Sequence, residues 1–189
     1  MGNRSSRKGG EGSGREKSST KLNDLPDAIL TGVSAYLPRT SCVSFAYALR
    51  AQHHWISTHE PSETSIAILA HHNWDSIDFN EIQQVCGRPL TDDDIRWVLQ
   101  SIDAPKKIKS LKLTHCIGIT GTGLRPLRGS SVLERIDLSL VSTHESPTID
   151  PEPVISASLV VPILESILRN PDNSLVHVQL GTQEMACWC

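Results

Sequence analysis

Three groups of residues in this sequence have types and spacings that are typical of active sites. The consecutive carboxylates Asp92, Asp93 and Asp94 could ligate a hard cation. Glycines at 118, 121 and 123 are spaced like a loop that binds phosphate through its backbone N–H groups. Eight histidines and five cysteines could supply metal ligands or nucleophiles. Each group has to be judged by the element that would position it.

None of these groups has the supporting pattern that its chemistry requires. The three acids precede an apolar stripe of helical period, and carboxylates are stabilised in the first turn of a helix by its dipole. The glycine segment lacks the lysine of a phosphate loop, so a turn is the favoured interpretation. The histidine pairs 53–54 and 71–72 have no second ligand pair at a zinc-like spacing. The sequence therefore predicts no catalytic residue, metal site or cofactor.

Composition bears on several further classes of protein. The 189 residues carry a net charge of −3, and the basic charge is concentrated in residues 1–21, so the remainder is acidic and unlike a general nucleic-acid binder. The longest apolar run, 159–164, is far shorter than the ~20 residues of a membrane-spanning helix. The basic N-terminus lacks the apolar region of a secretory signal. A cytoplasmic or nuclear location is expected.

The cysteines favour a reducing compartment. They are odd in number and scattered along the chain, which is unlike a disulfide framework. We expect free thiols or small buried side chains at Cys42, Cys86, Cys116, Cys187 and Cys189.

Residues 1–21 form a basic, Gly/Ser-rich tail that is predicted to be disordered. Gly2 followed by Ser6 fits the pattern for N-myristoylation, and nearby basic residues would assist a single acyl chain at an anionic membrane. A soluble leader explains the same composition, so membrane attachment through Gly2 and a free tail are both open interpretations.

Residues 22–56 read as a small helical unit. Pro26 suits the start of a first helix, whose apolar residues recur at helical spacing until Pro38. Thr40 or Ser41 is predicted to cap a second helix. So short a unit cannot bury its apolar surface alone, which indicates a partner.

This arrangement, with a trailing Trp55, resembles an F-box, the motif by which substrate receptors bind the Skp adaptor of a cullin-based ubiquitin ligase. The resemblance covers only this unit of the chain. It implies that the unit contacts the Skp adaptor through a set of apolar residues. They are Leu25, Pro26, Ile29, Leu30, Val33, Leu37, Pro38, Val43 and Phe45.

An internal repeat lies in residues 74–181. Four apolar positions of the segment 108–116 recur 25 residues later in the segment 133–141. Related strands are predicted at 74–79 and 175–180, at offsets of 34 and 42 residues, with 144–153 inserted as a surface loop. The pattern resembles the cysteine-containing leucine-rich repeat, in which a strand and a return helix close a shared core.

Two segments fit the return helices of such repeats. The first spans Leu90 to Ile102, where Thr91 and Asp94 form the sequence pattern of a capping box. The second spans Leu159 to Arg169 and has a broad apolar face.

The predicted fold class is α/β. It consists of an F-box-like helical unit at 22–56, a linker or helix at 57–73, and about four irregular strand–helix repeats at 74–181, with tails at 1–21 and 182–189.

Residues that flank the inward-pointing leucines of each strand alternate onto the opposite face of the sheet. The resemblance to leucine-rich repeats implies that this concave face binds a protein target. The predicted target-binding residues are Ser76, Asp78, Asn80, Ser110, Lys112, Thr114, Arg135, Asp137, Ser139, His177 and Gln179.

Together these patterns predict a non-catalytic substrate receptor of a Skp–cullin–F-box ubiquitin ligase. The partners would be a Skp-type adaptor, a cullin held through it, and a protein target. The alternative is a leucine-rich-repeat interaction scaffold, myristoylated or not, that has no connection with ubiquitin.

Overall fold

The computed structural model describes residues 25–52, 60–139 and 155–180. In these ranges the chain is mixed α/β, with seven α-helices and one 3₁₀ helix around a four-stranded parallel sheet. None of the helices described combines the length and the apolar character that crossing a bilayer requires. The predictions for Gly2, Trp55, the histidine pair 53–54, the loop 144–153 and the C-terminal cysteines lie outside the described residues.

Three helices precede the sheet. They are α1 (Asp27–Ser34), α2 (Arg39–Gln52) and α3 (Glu63–Ala70). The predicted cap of α2 was wrong, because the helix begins at Arg39 and Thr40 and Ser41 lie in its first turn. The carbonyl of Pro38 accepts the N–H of Cys42 at 2.9 Å, so the proline immediately precedes the helix.

The four strands are parallel and lie side by side in chain order. They are β1 (Ser76–Asp78), β2 (Ser110–Lys112), β3 (Arg135–Leu138) and β4 (His177–Leu180). Ile77 pairs with Leu111, Leu111 with Ile136, and Ile136 with Val178. These pairs have the offsets of 34, 25 and 42 residues seen in the sequence, so the prediction of a strand at each of the four positions is confirmed.

The remaining helices connect the strands. They are α4 (Phe79–Cys86), α5 (Asp92–Ser101), α6 (Ala104–Lys107), the 3₁₀ helix Thr122–Leu127 and α7 (Ala157–Leu168). The helix predicted over 90–102 is confirmed as α5. Its capping box is also present, since Thr91 accepts the N–H of Asp94 and the Asp94 carboxylate accepts the N–H of Thr91. The helix predicted over 159–169 is confirmed as α7, although it begins earlier, at Ala157.

Three residues that were predicted on the strand face lie beyond the ends of the strands. Asn80 is in the first turn of α4, because Asp78 ends β1 and caps that helix by accepting the Asn80 N–H at 2.9 Å. Thr114 and Ser139 likewise follow the last residues of β2 and β3.

One hydrophobic core joins the helical unit to the sheet. It contains Leu30 and Val43 from α1 and α2, and it continues through Trp74 and Trp97 to Ile163 on α7. α2 packs against both α3 and α4, so the helical unit lies directly on the repeat region. Burial of these side chains is the main stabilising contribution, because each large apolar side chain contributes about 1.5–3 kcal/mol when fully buried.

The turn before the 3₁₀ helix brings backbones too close for a side chain. A Cβ added at Gly123 would lie 2.5 Å from the carbonyl oxygen of Asp92. A Cβ added at Gly121 would lie 2.5 Å from Cγ2 of Val160, and Gly121 has φ +103°, which is unfavourable for other residues. The turn predicted for residues 118–123 is confirmed, and glycine is required there for packing.

Gly123→Ala is expected to lower the free energy of unfolding by about 1–3 kcal/mol, because the added methyl group meets backbone that cannot move aside. The matched control is Gly32→Ala in α1, where a Cβ has no neighbour within 4 Å. There the same change should stabilise the protein by about 0.5–1 kcal/mol through helix propensity. Urea unfolding of both variants measures the two effects, and equal changes would contradict the packing assigned to Gly123.

Candidate functional site

Two residues predicted to contact the Skp adaptor are buried within the chain. Leu30 is 3% exposed and Val43 is 1% exposed, and both belong to the core. Leu25, Leu37 and Phe45 pack partly against the same core. Leu30 and Val43 therefore cannot form a surface for a partner, and they support that surface from beneath.

The other predicted contacts contribute to an exposed apolar face on α1. Ile29 is 51% exposed and Val33 is 45% exposed, and their spacing of four residues places them on the same side of the helix. Pro26 and Pro38 are exposed at the two ends. Tyr36, in the turn that follows α1, is 91% exposed. We call Pro26, Ile29, Val33, Tyr36 and Pro38 the α1 face.

Beneath this unit the structure brings together a cysteine and a histidine that sequence reasoning did not connect. Cys42 Sγ lies 3.0 Å from His72 Nε2 and donates to the carbonyl of Ser34 at 3.1 Å. Cys42 has no exposed surface, and burial raises the pKa of its thiol. A nucleophilic cysteine requires an accessible thiolate, so this pair is a structural contact.

Eight of the predicted target-binding residues lie together on one face of the sheet, and none of them is buried. β2, β3 and β4 form a groove on this face, with a cavity volume of about 440 Å³. We call it the sheet groove. The predicted residues that line it are Ser110, Lys112, Arg135, Asp137, His177 and Gln179.

The strand register arranges these side chains in rows across the sheet. Ser110, Arg135 and His177 occupy one row, since each pairs with its neighbour on the next strand. Lys112 pairs with Asp78 on one side and with Asp137 on the other. Positive charge is therefore flanked by carboxylates at Lys112, while the row of Arg135 contains no carboxylate.

The three consecutive acids have three different sets of partners. The carboxylate of Asp92 accepts the N–H of Thr120 at 2.7 Å, of Gly121 at 3.0 Å and of Gly123 at 2.8 Å, and also the Thr120 hydroxyl at 2.8 Å. Burial opposes ionisation of Asp92, but these hydrogen bonds outweigh it and hold its pKa below the ordinary value. The N–H groups of the glycine turn thus bind an anion supplied by the chain itself.

Asp94 joins α5 to the helical unit. It is buried, it pairs with Arg88 at 2.9 Å and with Arg50 at 4.0 Å, and it hydrogen-bonds to Tyr47 of α2. Burial opposes its ionisation, and Arg88, the N–H of Thr91 and Tyr47 together lower its pKa. Arg88 lies over the ring of Tyr47, with its guanidinium carbon 4.8 Å from the ring centre, which adds a cation–π contact.

Asp93 pairs with Arg96 on the surface, at 2.9 Å. The three carboxylates thus diverge instead of meeting at one point. In the described part of the chain, no group of three or more His, Cys, Asp or Glu side chains is placed to hold a metal ion.

The described cysteines Cys42, Cys86 and Cys116 are free thiols, as expected from their scattered positions. Burial, followed by the charge of Asp78, raises the pKa of Cys116 to about 12. This residue occupies the conserved-polar position of the leucine-rich pattern and is fully buried below the sheet edge. It serves packing and has no reactive thiolate near neutral pH.

Asp92→Asn is expected to lower the free energy of unfolding at pH 7 by about 1–2 kcal/mol, because charge-assisted hydrogen bonds to a partly exposed turn are replaced by weaker ones. The pKa of Asp92 is lower in the folded chain, so the stabilisation is present above the ordinary carboxyl pKa of about 3.9 and is lost as the pH falls through the folded value. Urea unfolding at pH 7 and pH 3 should show the difference between wild type and variant shrinking in acid.

The matched control for that measurement is Asp93→Asn, which removes an exposed charge from the same turn of α5. An exposed ion pair contributes only about 0–1 kcal/mol, so the control should change stability less. A larger loss for Asp93→Asn than for Asp92→Asn would contradict the role assigned to Asp92.

Comparison of the chain with models of protein families, with curated proteins and with solved structures finds no significant match in any of the three.

Proposed function

We propose that this protein is a non-catalytic substrate receptor of a Skp–cullin–F-box ubiquitin ligase. In this proposal residues 22–56 form an F-box-like unit that binds a Skp-type adaptor. The strand–helix repeats of residues 74–181 form a short, irregular leucine-rich-repeat array that binds a protein target.

The exposed α1 face is the observation that carries the proposal. Two aliphatic side chains and one aromatic side chain are exposed on or beside a single eight-residue helix, between two exposed prolines. Contiguous apolar surface of this kind on a soluble domain is typical of a binding site for another protein. The residues Pro26, Ile29, Val33 and Pro38 belong to the set that resembles an F-box, and covering them would supply the burial that so small a unit lacks.

The sheet groove suits a protein target better than a small apolar molecule. Its predicted lining is polar and carries both signs of charge. Small-molecule sites are usually enclosed and mainly apolar, whereas the rim of a protein interface is polar and accessible. The α1 face and the sheet groove also differ in chemistry, which favours two different partners.

A receptor of this kind needs no catalytic group of its own. Holding a target lysine near the charged ubiquitin carrier raises its effective concentration, and the ligase supplies the chemistry. The divergent carboxylates and the buried Cys42–His72 pair are compatible with this passive role.

Capture of a purified Skp-type adaptor by the full-length chain tests the proposal. We expect the double variant Ile29→Asp, Val33→Asp to bind at least tenfold more weakly than wild type, because two charges would be placed in an apolar interface. The matched control is Val85→Asp on α4, which is 50% exposed and lies outside the α1 face. It should bind the adaptor as wild type does.

Failure of the wild-type chain to retain the adaptor would refute the ligase role. Equal binding by the double variant and the control would refute the α1 face as the docking site. The scaffold alternative predicts the first of these outcomes, together with a target that still binds to the sheet groove.

A further inference from the structure

The two ends of the sheet groove differ in how their charges are balanced. At one end Lys112 lies between Asp78 and Asp137 in the strand register. At the other end Arg135 lies between Ser110 and His177, which carry no negative charge. Asp137 is the only carboxylate that lines the groove.

Both carboxylates of the face are already engaged locally. Asp78 accepts the N–H of Asn80 at 2.9 Å as the cap of α4. Asp137 accepts the N–H of Ser139 at 2.9 Å and also the Ser139 hydroxyl. These contacts hold the two carboxylates toward the carboxyl ends of the strands, away from the row of Arg135.

Arg135 and His177, by contrast, are exposed and have no side-chain hydrogen bond or ion pair among the described residues. The arginines at 50, 88, 96 and 169 all have carboxylate partners. A free guanidinium on a rigid strand is suited to bidentate recognition of a carboxylate or phosphate. The imidazole of His177 and the hydroxyl of Ser110 can each donate a further hydrogen bond to the same anion.

We propose that the sheet groove binds an extended segment of the target protein through an anionic side chain that lies over Arg135 and His177. This inference rests on the proposed function, because it names the chemistry of the target for the same groove. The groove crosses three strands, so a segment of a few residues can span it, with its anion at the Arg135 row and uncharged or basic residues near Asp137. The anion is a carboxylate of Asp or Glu or a phosphate on Ser or Thr, and the experiment separates the two.

Fluorescence polarisation of the full-length chain with labelled nonapeptides tests the inference. Three peptides share one Gly/Ser backbone and carry two central residues, which are glutamate, phosphoserine or glutamine. We expect at least one anionic peptide to bind at least tenfold more tightly than the glutamine peptide, since hydrogen bonds to charged groups are the strong ones. Tighter binding of the phosphoserine or of the glutamate peptide identifies the source of the anion.

The double variant Arg135→Gln, His177→Gln is expected to lose that tenfold preference. The matched control is Lys112→Gln, which removes one positive charge from the same groove but from the row that contains Asp78 and Asp137. The control should keep binding within about threefold of wild type. In the wild type, amide chemical-shift changes on adding the anionic peptide should map to Arg135 and His177, a readout that needs no variant.

Equal affinity for all three peptides would overturn the inference, as would equal losses in Lys112→Gln and in the double variant, which would indicate general charge attraction. Adaptor capture by the same proteins distinguishes the two proposals. If the adaptor is retained but no anionic peptide is preferred, the inference alone fails. If the adaptor is not retained while peptide binding depends on Arg135, the ligase role fails and the anion site remains.

Discussion

The carboxylate of Asp92 is the interaction on which the arrangement of the repeats depends. It accepts four hydrogen bonds from the glycine turn, 28 to 31 residues further along the chain. The bonds join the first turn of α5 to the segment that follows β2, so the helix and the next repeat cannot slide past each other. Glycine at 121 and 123 makes this possible, because any side chain there would separate the two backbones.

Asp94 plays the corresponding role between the repeats and the helical unit. Its carboxylate lies where α5, Arg88 and α2 meet, and its partners come from all three. A buried charge is tolerated only when hydrogen bonds and opposite charges compensate its desolvation. Tyr47 and Trp97 pack edge to face beside it, with ring centres 6.0 Å apart, and shield the joint from water.

The sequence was most informative where one local rule decides the structure. The strands could be located because inward residues recur at fixed offsets, and the start of α5 because Thr91 and Asp94 complete a capping box. It was least informative where the outcome depends on distant partners. Phe79 continues the apolar alternation of β1, yet Asp78 caps a helix there and ends the strand after three residues. The 3₁₀ helix follows from Pro126, which lacks the N–H that an α-helix would use in its interior.

The candidate sites show the same division between local pattern and distant contact. Helical spacing identified the apolar residues of α1, but it could not say that Leu30 faces the core while Ile29 and Val33 face outward, since that depends on where α3 packs. Tyr36 was missed because it follows the helix, although its position three residues after Val33 continues the same side. The pairing of Cys42 with His72, 30 residues apart, left no signal in the spacing.

A shared core has a functional consequence for a receptor with two docking surfaces. Under the proposed function, the gain in effective concentration depends on how narrowly the link between the two surfaces restricts their separation. A flexible linker would allow the target to sample many positions relative to the adaptor. Here α2 packs directly on α4, and Asp94 ties α2 to α5, so the path from the α1 face to the sheet passes through buried side chains. Interiors packed at this density transmit position with little slack, so a target held on the sheet would be held at a defined distance from the adaptor.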